Sequence, residues 1–254
     1  MTVPFLLADI RLNAANFVSE VMTDPFTGNL VDGWEDQSGY GNHLIIRQGT
    51  PTYENDANGV SCAVFDNTLI ASLREIGLKS GAGTLILSFS GGYLANNTRD
   101  LVTIERYETT KTRTGNPAWA LRRFVGSGFN RTTWATVSAS QPLDLGGSSS
   151  GDMTVQHVAF GCDMRSTGGG IYAKREGQTA PDPATPNENA SRIPTGSDII
   201  FGRLNPSQAD ASRTAVTGNE RMLLSHVKLY GNFQQGNLIS DHASDLETIF
   251  AGLT

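Results

Sequence analysis

One stretch of the chain combines arginines with aromatic residues in strand-like sequence. Its candidate ligand-binding side chains are Trp119, Arg123, Arg131 and Trp134. Aromatic rings can stack on sugar rings, and guanidinium groups can hydrogen-bond hydroxyls or acidic groups. The pattern therefore predicts a glycan-binding surface. The alternative is that both tryptophans lie in the core while the arginines cover a solvated sheet face.

A glycine-rich segment nearer the start predicts a tight loop. Its structural residues are Trp34, Asp36, Ser38, Gly39, Gly41 and Asn42. The aspartate can accept backbone N–H bonds in an Asx turn, the glycines permit positive φ, and the indole supplies a large apolar plug. Carboxylate oxygens also suit calcium, so a structural Ca²⁺ near Asp36 is the alternative to a turn-stabilising carboxylate.

Motifs for other cofactors are absent from the sequence. The four histidines, at positions 43, 157, 226 and 242, share no H-x-x-x-H spacing, so no zinc site is expected. No G-x-x-x-x-G-K-[ST] phosphate loop occurs either. The sequence therefore predicts no cofactor other than the calcium just considered.

Composition limits the class of protein. The 254 residues include 38% hydrophobic and 17% charged side chains, which is typical of a folded domain. A net charge of -6 argues against broad binding to nucleic acid or to an anionic membrane. The first basic residue is Arg11, and Asp9 interrupts the early apolar run, so we expect no secretory signal. No apolar run reaches the ~20 residues of a membrane span.

Short strand-like runs with apolar alternation recur along the chain. They lie at residues 84–90, 101–104, 119–125, 133–137, 155–163, 170–173, 198–203 and 222–230. Residues 145–151 and 179–193 are predicted loops, and the C-terminal residues Leu246, Ile249, Phe250 and Leu253 indicate one helix. Without βαβ alternation, the pattern predicts a single all-β domain over residues 1–254, an antiparallel two-sheet sandwich with a short C-terminal helix.

The ordered motifs resemble the laminin G-like members of the concanavalin A-like lectin/glucanase superfamily. The segment W-x-D-x-S-G-x-G-N covers residues 34–42, a G-x-P-x-Y turn covers 49–53, and F-D stands at 65–66. Later matches are residues 157–160, 171–172, 200–203 and 227–230. The resemblance implies a jelly roll. Glucanases of this superfamily carry E-x-D-x-(x)-E on one strand, and the acids at 32, 35, 36, 105 and 108 lack that spacing.

These observations lead to a functional prediction. A lectin-like fold without an export signal or a paired-acid string resembles the virion proteins of tailed bacteriophages. We expect a non-catalytic structural and assembly module, not an enzyme, that joins the virion in the host cytoplasm. We expect it to form a homo-oligomer, to contact other virion or surface proteins, and to attach to host glycans. A stand-alone carbohydrate-binding adhesin and a glycoside hydrolase are the alternatives.

Overall fold

The computed structural model describes fourteen ranges of the chain. The described ranges are 5–24, 27–66, 68–73, 82–91, 99–105, 119–123, 130–135, 140–144, 156–163, 171–177, 182–184, 198–202, 222–231 and 243–253. Within them the strands are β1 (Phe5–Arg11), β2 (Phe17–Thr23), β3 (Leu30–Trp34), β4 (Leu44–Gln48), β5 (Tyr53–Asn55), β6 (Ser61–Phe65), β7 (Ile70–Leu73), β8 (Ala82–Gly91), β9 (Arg99–Glu105), β10 (Trp119–Arg123), β11 (Asn130–Ala135), β12 (Ser140–Asp144), β13 (Gln156–Asp163), β14 (Ile171–Arg175), β15 (Asp182–Ala184), β16 (Asp198–Phe201) and β17 (Met222–Gly231). Helix α1 (Ala243–Ala251) follows.

The strands form two antiparallel sheets. Sheet A has eight strands in the order β15-β14-β13-β8-β17-β6-β5, and β1 also pairs with β17. Sheet B has nine strands in the order β12-β11-β10-β9-β16-β7-β4-β3-β2. The predicted all-β sandwich is therefore confirmed.

One hydrophobic core joins the two sheets. Because successive strand side chains point to opposite faces, every second residue of a strand contributes to it. The largest contributors are Ile10, Leu12, Trp34, Leu44, Phe65, Leu73, Leu85, Val102, Phe160, Ile199, Phe201, Leu224, Val227 and Leu229. The intervening residues Ile86, Ala159 and Tyr230 face outward from sheet A.

Helix α1 covers part of this outer face. Its buried residues Leu246, Phe250 and Leu253 form a separate apolar cluster with Ile86, Ala159 and Tyr230. The predicted apolar face of the helix is thus the one that packs. No helix among the described residues is long and apolar enough to cross a membrane.

The described part of the predicted loop at residues 179–193 is a strand. Asp182–Ala184 forms β15, which pairs with β14 at the end of sheet A. Pro183 hides the strand pattern in the sequence, because proline has no N–H to donate to a neighbouring strand and is found mainly in the edge strands of sheets. The other predicted loop, residues 145–151, lies outside the described residues.

Candidate functional site

Ionisable side chains converge on the outer face of sheet A. We call Asp9, Ser88, His157, Glu176, His226 and Lys228 the histidine cluster. Ser88 of β8 pairs with His157 of β13 on one side and with His226 of β17 on the other. Directly opposed residues share a face of the sheet, so the register places the two imidazoles on either side of one serine.

His226 is held by a carboxylate of the first strand. Its Nε2 donates to Asp9 Oδ1 at 2.6 Å, and Lys228 Nζ lies 3.2 Å from Asp9 Oδ2. Burial works to raise the pKa of Asp9, but the hydrogen bond from His226 and the charge of Lys228 outweigh it and lower that pKa. Asp9 is therefore an ionised acceptor that orients the imidazole of His226.

His157 lies in a drier environment. Its Nδ1 is 2.7 Å from Ser88 Oγ, and its Nε2 is 3.9 Å from Glu176 Oε2. Burial lowers the pKa of His157 against the opposing pull of Glu176, and nearby His226 lowers it further. His157 is thus neutral near pH 7 and can accept a proton. Ser88 is completely buried, so the Ser–His–Glu series does not present an accessible nucleophile.

Helix α1 lies over His157. The ring of Phe250 stacks on the imidazole, with centroids 6.4 Å apart and planes 20° apart. Lys174 Nζ lies 5.6 Å from the centroid of the same ring and forms an ion pair with Glu247 of the helix. Burial lowers the pKa of Lys174 against the opposing charge of Glu176.

The loop after β3 fixes the position of Asp9. Asp36 Oδ1 accepts from the backbone N–H groups of Asp9 and Ser38, each at 2.9 Å. Its Oδ2 accepts from Ser38 Oγ at 2.7 Å and from the Asn42 N–H at 2.9 Å. Gly39 and Gly41 have φ values of +87° and +72°, which the loop requires and other residues rarely adopt. The loop therefore fastens β1 beside the histidine cluster.

The surroundings of Asp36 consist of hydrogen-bond donors. A calcium ion at this carboxylate would have to displace the N–H and O–H groups that both of its oxygens accept. Among the described residues, no group of three or more His, Cys, Asp or Glu side chains is placed to hold a metal ion.

The predicted ligand-binding residues lie on the other sheet. Trp119 and Arg123 belong to β10, and Arg131 and Trp134 belong to its neighbour β11. In the register, Arg131 is opposite Arg122 and Arg123 is opposite Asn130. The four positions thus lie on adjacent strands of sheet B, apart from the histidine cluster, and their side chains are outside the described part.

Sequence reasoning missed the histidine cluster. Its two histidines, His157 and His226, are 69 positions apart in the chain, and only the strand register brings them close together. One local signal was present: each histidine interrupts an otherwise apolar strand. A polar residue buried within such a strand needs a partner, and that partner could have been sought on other strands.

An orienting role for Asp9 leads to a measurable prediction. Replacing Asp9 with asparagine should lower the free energy of unfolding near neutral pH by about 1.5–3 kcal/mol, because a charge-assisted hydrogen bond is weakened. Because folding lowers the pKa of Asp9 from its ordinary value of 3.8, the ionised carboxylate stabilises the fold above that pH. This stabilisation is lost as the pH falls below 3.8. Urea unfolding should therefore show the gap between the two proteins narrowing at about pH 3.

The matched control is Glu35→Gln, which neutralises an exposed carboxylate in the loop directly after β3. We expect it to change stability by no more than about 0.5 kcal/mol at either pH. An Asp9→Asn deficit that stays constant between the two pH values would show that the charge of Asp9 does not stabilise this site.

Comparison with known proteins finds likeness only at the level of structure. No protein-family model matches the chain, and no curated protein matches it. Trypanosoma rangeli sialidase in complex with 2,3-difluorosialic acid is 14% identical with a TM-score of 0.52, over 94% of this chain and 33% of the sialidase chain. This chain therefore spans about a third of the sialidase's length.

Two smaller structures are covered almost completely. Domain 4 of AbnA, a GH43 extracellular arabinanase from Geobacillus stearothermophilus solved with arabinotriose, is 11% identical with a TM-score of 0.51, over 95% of this chain and 99% of that domain. Endo-β-1,4-glucuronan lyase from Trichoderma reesei is 11% identical with a TM-score of 0.50, over 74% of this chain and 90% of the lyase. At such identities the likeness shows the fold alone, a β-sandwich.

These structures correct the predicted function. The expectation of a non-catalytic virion module was wrong by this comparison, because the solved proteins that share the sandwich are a sialidase, a lyase and a domain of an arabinanase. The missing E-x-D-x-(x)-E string excludes only acids spaced on a single strand, whereas the register of sheet A gathers ionisable groups from several strands. The virion location and host attachment find no support in these structures.

Proposed function

We propose that the chain is a glycoside hydrolase domain whose proton transfers are carried out by the histidine cluster. The observation that carries this proposal is the pair of differently held imidazoles on one sheet face, His226 bonded to Asp9 at 2.6 Å and neutral His157 beside Ser88. Two titratable groups that are held in different environments are suited to act as acid and base. Within the superfamily, the segment at residues 34–42 favours the laminin G-like branch.

The proposed chemistry assigns one role to each imidazole. His226, held by Asp9, accepts a proton from water while the water oxygen attacks the anomeric carbon. His157, once protonated, donates a proton to the glycosidic oxygen as the bond to the leaving sugar breaks. The products are two shorter saccharides, and solvent returns both imidazoles to their starting protonation states.

Activity measurements on defined polysaccharides test this proposal. Arabinan, polyglucuronate and a sialylated glycan are the first substrates, chosen from the fold neighbours, with release of reducing ends as the readout. On the substrate that is cleaved, His157→Gln and His226→Gln should each lower kcat by about 10²–10⁴-fold, which is the usual contribution of general acid–base catalysis. Glu35→Gln, the exposed control, should retain full activity.

Three results would overturn the assignment. Cleavage that persists in both histidine variants would move catalysis elsewhere in the chain. Failure of the folded protein to cleave any polysaccharide of the panel would remove the hydrolase proposal. Ultraviolet absorbance from unsaturated uronic products, without water consumption, would indicate elimination instead of hydrolysis.

A second candidate is the sugar-binding part of a longer glycan-processing enzyme. It is favoured by the near-complete mutual coverage with an arabinanase domain that was solved with arabinotriose. Arabinotriose binding, measured by calorimetry, should then be weakened by Trp119→Ala and Arg131→Ala, because these residues carry the predicted stacking and hydrogen bonding. No heat of binding from the folded wild type would exclude this ligand.

A further inference from the structure

We propose that helix α1 is a removable cover over the histidine cluster, held down while His157 is neutral and released when it is protonated. The purpose of this cover rests on the proposed function, because the helix shields the imidazole assigned as the acid and leaves when that imidazole carries its proton. Its release is a property of the helix and can be measured without any substrate.

The apolar contacts of α1 are separable from the main core. Its buried side chains pack in their own cluster on the outer face of sheet A, while the core between the sheets is formed by other residues. The nine-residue helix can therefore leave without opening the space between the sheets. Isolated helices of this length are marginal in water, so a released α1 should also lose its helical hydrogen bonds.

His157 contacts the residue that anchors the helix. Phe250 is fully buried and stacks on the imidazole, with Lys174 already above the same ring. A protonated His157 would place a second cation against this ring with little access to water. Removing a charge from water without full compensation is unfavourable, so protonation weakens the docked state.

The other charged groups around His157 do not reverse this effect. Glu176 opposes it from the end of β14, and Glu247 of α1 is engaged with Lys174. His226 and Lys228 face the site from β17, where Asp9 of β1 engages both. The balance of burial against Glu176 keeps the pKa of His157 below its ordinary value of 6.5.

The sign of the pH dependence follows from that direction. Helix α1 contributes to the burial that lowers the pKa of His157, through the stacked ring of Phe250. The docked state is therefore favoured above pH 6.5, and this contribution declines as the pH falls toward the lowered value. The carboxyl of Asp9, with a pKa below 3.8, stays ionised while acidification adds the proton to His157.

Hydrogen exchange of the whole chain, followed by mass spectrometry and corrected for intrinsic exchange rates, tests the proposal. Protection of the peptide over residues 243–253 should fall from about pH 7 to pH 5 by up to tenfold per pH unit, the limit for one linked proton. Peptides from β8 and β13 should keep their protection. In His157→Gln the protection of α1 should not vary with pH, whereas His226→Gln should keep a decline whose midpoint lies at a higher pH, because His226 lowers the pKa of His157.

Three outcomes would overturn the proposal: α1 protection in the wild type that does not change with pH, a decline shared equally by β8 and β13, or an unchanged decline in His157→Gln. Should that variant fail to fold, an NMR titration of wild-type His157 serves instead, and a midpoint at or above 6.5 contradicts the idea. A pH-dependent α1 in a protein that cleaves no glycan would separate the cover from the hydrolase proposal.

Discussion

Trp34→Ala is expected to lower the free energy of unfolding by about 3–5 kcal/mol, the usual loss for a large aromatic removed from a core. The indole has no solvent exposure and contacts three other rings. Phe17 lies 5.4 Å away, Tyr53 6.5 Å and Phe65 6.1 Å, measured between centroids. Because these rings belong to strands of both sheets, the cavity would open at a point where the sheets are joined.

Urea denaturation followed by circular dichroism measures the loss. Trp34→Phe should recover part of it, since an aromatic ring still fills most of the space. Tyr40→Ala is the surface control, because its side chain is 63% exposed, and it should change stability by less than about 0.5 kcal/mol. Equal stability of Trp34→Ala and the wild type would mean that this indole is not buried in solution.

Arg47→Ala should destabilise the protein by a comparable amount, about 3–5 kcal/mol, as expected when one partner of a buried ion pair is removed. Arg47 Nη1 is 2.7 Å from Asp24 Oδ2, and Nη2 is 3.9 Å from Asp198 Oδ2. Its Nε donates to Ser72 Oγ at 2.8 Å. One guanidinium of β4 thereby links the end of β2 to β7 and β16 across sheet B.

Arg47→Lys separates charge from shape in this network. Lysine keeps the positive charge but lacks the planar guanidinium that reaches several acceptors. The stability of Arg47→Lys should therefore lie between those of the wild type and Arg47→Ala. Thermal unfolding monitored by calorimetry would give all three values. A loss below about 1 kcal/mol for Arg47→Ala would place these ion pairs in the exposed class, which contributes little.

The sequence predicted the strands better than their arrangement. Residues 84–90, 155–163 and 222–230 were predicted as strands and coincide with β8, β13 and β17, because a strand with one buried face has a period of two that is visible locally. β15 escaped detection because it is three residues long and contains Pro183. Local patterns also do not determine which strands become neighbours in a sheet.

That second limit explains the missed site. Placing His157 and His226 on either side of Ser88 requires the order β13-β8-β17, which follows from tertiary packing over more than a hundred residues. The loop residues around Asp36 were more accessible to prediction, since Asx turns and positive-φ glycines are local features. The position of Asp9 on β1, which this loop fixes, could not be predicted from local sequence.

The pairing of β1 with β17 has a consequence for biosynthesis. Phe5 is opposite Gly231, and Asp9 is opposite Lys228. During synthesis β1 therefore cannot pair until β17 has emerged from the ribosome. Until then β8 has an open edge, which invites pairing with other nascent chains. A product truncated before Met222 would lack β17, an inner strand of sheet A, and would be prone to aggregate. A product that lacks only α1 would keep β17.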